Sequence, residues 1–204
     1  MKVFTKRNTT LGVVIGALLV VLTACTPINS AATIGGTSIS VDQVQKTVDT
    51  ILSERTKVST AGMNLETGEA LNRSQLSFYV ISELLLQVAR ESHVEVTEQE
   101  ITDQIKAVTA QVGGASGLTS AMVNAGIAPN NLRTYFRSYL ISQKVSTAFL
   151  AAGISKTDVT AAVQKLVSRK ALQLKVAINP RYGTWDPQQA TIVAAQLAAG
   201  AVTK

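Results

Sequence analysis

The chain has 204 residues, with 19 lysines and arginines against 13 aspartates and glutamates, a formal net charge of +6. Three of the basic residues stand within the first seven, so the rest of the chain is only mildly positive. This balance argues against a nucleic-acid-binding protein, which concentrates basic residues on one face. Aromatic residues make up only 4%, and long segments rich in alanine, valine, leucine and isoleucine favour helices packed on helices.

The first 25 residues have the pattern of a secretory signal that ends at a lipid-attachment cysteine. A basic start precedes an uncharged apolar run at residues 11–22, and Thr23, Ala24 and Cys25 come directly after it. The run is shorter than the ~20 residues of a membrane-spanning helix, and Cys25 has no second cysteine to pair with. We predict cleavage between Ala24 and Cys25 and a lipid on Cys25, which would anchor the mature chain in the cell membrane on its extracytoplasmic face; a transmembrane anchor and a buried free thiol are the alternatives.

We predict four regions along the chain. Residues 1–24 are the signal peptide, residues 25–32 a short polar tether, residues 33–186 a helical domain, and residues 187–204 an alanine-rich C-terminal tail that forms a weak helix or is disordered.

The helical domain begins with a short strand and turn around Gly35 and Gly36, after which Ser40 caps a helix that reaches about residue 57. Residues 58–71 lose the helical period and predict a loop. A longer helix follows at 72–92, and its apolar stripe consists of Leu76, Val80, Leu84 and Val88.

The second half continues in the same style. Thr97 and Glu100 form a capping-box pattern that opens a helix, and Gly113 ends it. A short helix is predicted at 118–124, a long one from about Pro129 to 151, and a capped one from 155–158 to about 168. Residues 172–178 alternate between apolar and polar side chains, which predicts a strand that pairs with the N-terminal strand.

This order of elements resembles the N-terminal chaperone domain of the SurA family of extracytoplasmic folding factors, also found in PrsA-type foldase lipoproteins. The resemblance is carried by six segments, residues 32–40, 73–89, 94–101, 135–145, 154–159 and 175–185. It implies a mainly α, SurA/trigger-factor-like domain that is closed by a small sheet pairing the N- and C-terminal strands.

The same resemblance bears on catalysis, because many relatives carry a parvulin prolyl isomerase domain between the last capped helix and the closing strand. Here residues 159–172 connect these elements without room for a domain, and His93 is the only histidine, whereas the parvulin site uses a pair. We therefore expect a non-enzyme without cofactor or metal. His93 beside Glu91 and Glu95 is most simply a surface residue, and the acidic residues of 95–103 lack the spacing of a calcium loop.

Apolar residues outside the main stripes are candidates for client binding, because methionines and aromatic rings make adaptable apolar surfaces. The candidates are Met63, Phe78, Tyr79 and Met122; core packing is the alternative for each of them. The resulting hypothesis is a membrane-anchored, ATP-independent chaperone that binds unfolded or nascent secreted polypeptides, without prolyl isomerase activity. The alternative is an envelope assembly lipoprotein with one dedicated protein partner.

Overall fold

The computed structural model describes residues 29–195. The predicted cleavage at Ala24, the lipid at Cys25, the signal peptide and the end of the tail therefore lie outside the described residues. The elements in chain order are β1 (Ser30–Ile34), β2 (Thr37–Ser40), α1 (Val41–Arg55), α2 (Gly68–Glu91), α3 (Glu98–Gln111), α4 (Ala115–Ala125), α5 (Leu132–Ala151), α6 (Val159–Gln173), β3 (Ala177–Ile178), β4 (Thr184–Asp186) and β5 (Thr191–Val193). The prediction of a mainly helical fold is confirmed.

The helix N-termini follow the local chemistry of the sequence. Ser40 accepts a hydrogen bond from the backbone N–H of Gln43 at 3.0 Å, and Thr97 and Glu100 bond each other's backbone N–H groups in a complete capping box. Two helices begin earlier than predicted, α2 at Gly68 and α4 at Ala115, and the added residues at each start are mostly exposed.

The first sheet joins the two ends of the domain. Its strand order is β2-β1-β3, and Ala32 of β1 lies opposite Ile178 of β3 in an antiparallel pair. Asn179 extends this pairing, since its backbone N–H donates to the carbonyl of Ala31 at 2.9 Å and its side-chain amide donates to that of Ser30 at 3.0 Å. The predicted pairing of N- and C-terminal strands is confirmed.

The folded domain extends beyond both of its predicted boundaries, residues 33 and 186. Ser30, Ala31 and Ala32, assigned to the tether, lie in β1 with their side chains buried, because small residues let the strand pack directly beneath α2. A tail is predicted at 187–204, but the chain turns back after Asp186, whose side chain accepts hydrogen bonds from the N–H groups of Gln188 and Gln189. It then forms β5 against β4.

The closing strand is also shorter than the alternation at 172–178 predicts. Helix α6 continues to Gln173, and only Ala177 and Ile178 are paired with β1. Residues up to 173 are helical and not extended, because the last turns of α6 bury Val167 and Ala171 against the core. Leu172, which the alternation would place on a buried sheet face, is 66% exposed. The apparent alternation therefore does not mark a sheet face.

Helix α2 lies at the centre of the core. Its predicted stripe is buried, and it packs against α1, α5, α6, β1 and β5. At its C-terminal end Glu91 forms an ion pair with Lys170 of α6, whose side chain is only 5% exposed and also donates to Gln173. Of the helices in residues 29–195, none has the length and apolar character needed to cross a membrane.

Candidate functional site: a groove between two helices

An open groove of about 470 Å³ runs between α2 and α5 and is called here the α2–α5 groove. Helix α2 contributes Ser74, Ser77, Phe78, Ile81, Ser82 and Leu85, helix α5 contributes Tyr135, Ser138, Tyr139 and Ser142, and Thr191 of β5 stands at one side. These positions recur at three and four residues on each helix, which places them on one face of each.

Serines bring the two helices close together along this groove. The hydroxyl of Ser138 on α5 donates to the hydroxyl of Ser82 on α2 at 3.1 Å, and Ser77 shares a 3.0 Å hydrogen bond with Thr191. The small side chains leave space above them, and the larger Phe78, Tyr135 and Tyr139 flank that space. No charged side chain of the described residues lines the groove, so it suits uncharged chain segments with apolar side chains.

A second cavity of about 490 Å³, the loop cavity, continues from the groove toward the N-terminal end of α2. The two share Ser74, Phe78 and Tyr135. Leu65 of the α1–α2 connection and residues 124–128, at and directly after the end of α4, line the same cavity. Gln75 holds the wall of this cavity in place, because its side-chain amide donates to the carbonyl of Gly126 at 3.1 Å.

Tyr135 and Tyr139 are the most exposed large residues of the site. They are 38% and 44% exposed, and they stand one turn apart on α5. Both also line a side cavity of about 320 Å³ formed with α3 and α4. A single row of tyrosines thus separates two apolar depressions, and Tyr135 borders the loop cavity as well. Exposed rings with a hydroxyl at the tip are suited to contacting apolar ligands reversibly.

The four predicted client-binding residues do not lie together. Phe78 lies in the groove. Met122 is buried and lines the side cavity, whereas Met63 lies half-buried in the α1–α2 connection and lines none of these three cavities. Sequence reasoning missed Tyr135 and Tyr139 as binding candidates.

Tyr79 packs against the core and does not line the groove. Its hydroxyl lies 2.6 Å from Thr47 Oγ1 on α1 and accepts a 3.0 Å hydrogen bond from the side-chain amide of Asn131. Its ring packs on the main core and lies 5.4 Å from the ring of Phe78. Tyr79 therefore joins α1, α2 and the turn before α5, while its neighbour Phe78 points to the groove.

The acidic residues at the start of α3 are used in ion pairs with α5. Glu98 binds Arg133 at 2.5 Å and also Arg137, and Glu100 binds Lys144 at 2.6 Å. Hydrogen bonds from Arg133 and Arg137 lower the pKa of Glu98, and the hydrogen bond from Lys144 lowers that of Glu100. These pairs hold α3 against α5.

His93 ends helix α2 through its backbone conformation. It is exposed and adopts a φ of 52°, a left-handed conformation that ends the helix, and the N–H of Val94 then bonds back to the carbonyl of Ala89 at 2.8 Å. Within residues 29–195, no group of three or more histidine, cysteine, aspartate or glutamate side chains is arranged to hold a metal ion.

Comparison with known proteins agrees with this architecture. The model of the SurA-like N-terminal domain matches residues 4–146, more than two thirds of the chain, and the matched part includes both walls of the groove. The chain belongs to the SurA-like N-terminal domain family. This is a chaperone-type family. No curated protein and no solved structure matches the chain.

Proposed function

We propose that the protein is a membrane-anchored, ATP-independent chaperone that holds unfolded or newly secreted polypeptides in the α2–α5 groove. Membership of a chaperone-type family supports this proposal. The observation that carries it is the row of exposed Tyr135 and Tyr139 facing Phe78 across an uncharged groove. Such a surface binds apolar client segments by burial and releases them without a covalent step.

The proposal includes the absence of prolyl isomerase activity. Helix α6 and strand β3 are joined by residues 174–176 alone, a connection that supports a fold without a catalytic domain inserted at this point. Among the described side chains His93 has no histidine partner, since it is the only histidine of the chain.

The groove is tested by light scattering of a chemically denatured client. Replacing Tyr135 and Tyr139 together by serine removes the exposed rings, and we expect several-fold weaker suppression of aggregation with unchanged helical content by circular dichroism. Leu172→Ser is the matched control, because Leu172 is 66% exposed on α6 and lines none of the described cavities. Equal activity of the double variant and the control would contradict the proposal. Tight binding to one folded envelope protein, without holdase activity, would instead identify a dedicated assembly factor.

Anchoring is tested separately at Cys25. We expect Cys25→Ser to move the protein from the membrane fraction to the soluble fraction or to leave it unprocessed, because only the cysteine provides a thiol for the lipid. Intact-mass analysis of the mature wild-type protein checks the same point, and an unmodified Cys25 would contradict it.

A further inference from the structure

Strand β5 is part of the wall of the α2–α5 groove, although it lies near the end of the chain. Thr191, its first residue, lines the groove and hydrogen-bonds Ser77 of α2. The strand also packs along α2 and pairs with β4. The segment after β5 therefore begins three residues beyond the groove contact of Thr191.

The path of β5 leads along α2 toward the N-terminal half of that helix. Ala194 lies against Gly183, since a Cβ on that glycine would be 3.5 Å from the Ala194 Cα. The residue before Gly183, Tyr182, accepts a 3.1 Å hydrogen bond from Arg73 Nε. Arg73 is one turn before Ser77 on α2, and the next residue, Ser74, borders both the groove and the loop cavity. The described chain ends at Ala195, four residues after Thr191, so about 13 Å of extended chain at most separates its end from the groove.

The last nine residues of the chain match the groove in charge and size. Residues 196–203 carry no charged side chain, and only Lys204 is basic. Leu197 and Val202 are separated by alanines and a glycine, small residues that allow a backbone to approach the serine-lined floor. Nine extended residues reach about 30 Å, whereas the groove from Ser74 to Leu85 covers only about 16 Å of helix.

We propose that residues 196–204 dock in the α2–α5 groove of their own chain and compete there with clients. Only the competition rests on the proposed chaperone function; the docking does not. A tethered segment acts at an effective concentration of about 1 mM. It keeps the apolar groove covered until a client that binds more strongly displaces it.

The test measures binding of a fluorescently labelled peptide of residues 196–204 to two proteins, the full chain and a chain that ends at Ala195. The truncation leaves β5 intact. We expect the truncated chain to bind the peptide, and the full chain to bind it about tenfold more weakly for a peptide dissociation constant near 0.1 mM. The full-length variant with Leu197→Asp and Val202→Asp should behave like the truncated chain, because charges do not enter an uncharged groove.

Each other result overturns the docking. It is overturned if the truncated chain does not bind the peptide, or if the full and truncated chains bind it equally well. It is also overturned if the full chain sediments as a dimer that the truncation converts to a monomer, since the segment would then occupy a second copy. Light scattering of a denatured client with the truncated chain separates the two proposals. If the truncated chain suppresses client aggregation but does not bind the peptide, the chaperone function is retained and the docking is rejected. If it binds the peptide but does not suppress aggregation, the docking is retained and the chaperone function is rejected.

Discussion

The hydroxyl of Tyr79 on α2 should stabilise the fold, so substitution of Tyr79 should affect stability and leave client binding unchanged. Tyr79→Phe removes only the hydroxyl that lies between Thr47 and Asn131, and it keeps the ring against the core. Because the hydroxyl proton of Thr47 goes to the carbonyl of Gln43 at 3.0 Å, Tyr79 donates to Thr47 and accepts from Asn131. The substitution therefore breaks two hydrogen bonds at once.

The expected loss of stability follows from the burial of the partners. Thr47 is 2% exposed and Asn131 is 7% exposed, so water does not readily replace the lost hydroxyl. Thr47 keeps its bond to Gln43, whereas the amide of Asn131 loses the acceptor it has in Tyr79. Leaving a buried polar group unpaired costs about 1–3 kcal/mol. For a domain of this size each kcal/mol lowers Tm by about 2–4 °C, so we expect a decrease of roughly 2–12 °C.

Thermal unfolding followed by circular dichroism measures this effect, and Tyr139→Phe is the matched control. Tyr139 is 44% exposed, and its hydroxyl makes no hydrogen bond to another described residue, so the Tm of that variant should stay within about 1 °C of the wild type. The Tyr79→Phe variant should also retain wild-type suppression of aggregation. A Tm equal to that of the control would refute the structural role of the Tyr79 hydroxyl.

Two further predictions concern the remaining contacts of the fold. Glu98→Gln should lower Tm at pH 7 and low salt, because Arg133 and Arg137 lower the pKa of Glu98 and so stabilise the fold. This stabilisation is present above the unfolded pKa of about 4.3 and is lost as pH falls through the lower folded pKa. The Tm values of variant and wild type should therefore converge in acid, and a difference that stays constant with pH would contradict the ion pairs. Removing residues 176–204 should abolish cooperative unfolding in urea, because β1 loses its pairing with β3 and the buried Tyr182 and Ile192 leave the core. An unfolding midpoint equal to that of the wild type would contradict the role of the pairing.

The parts of the fold that were predictable are those decided by neighbours in sequence. The caps at Ser40 and Thr97 depend on a side chain and a backbone N–H three residues away, and the stripe of α2 depends on the helical period alone. Tertiary contacts decide the parts that were wrong. The alternation at 172–178 indicates a strand, yet burial of Ala171 in the core extends the helix to Gln173. Strand β5 consists of three β-branched residues, a run too short to predict a strand, and it forms because β4 is beside it.

The groove illustrates why a binding surface is harder to predict than a core. Phe78 and Tyr79 are neighbours in sequence and both aromatic, but they differ by about 100° around the helix axis. The sequence alone does not say which of the two directions is covered, because that depends on where α1 and α5 lie. Tyr135 and Tyr139 were overlooked because they lie beside the buried Phe136 and Leu140, and the prediction followed only the buried stripe.

A usable signal was nevertheless present in the serines. Ser74, Ser77 and Ser82 occur along the α2 face that also carries Phe78, and Ser138 and Ser142 lie beside the two tyrosines of α5. A helix face that mixes serines with aromatic rings is neither a good core, since the hydroxyls require partners, nor a strongly solvated surface. Where two such faces meet, the serines allow the helix axes to approach, and the rings remain exposed at the rim because there is no space for them below. The groove and its exposed tyrosines therefore follow from one property, the alternation of small polar and large aromatic side chains on two facing helices.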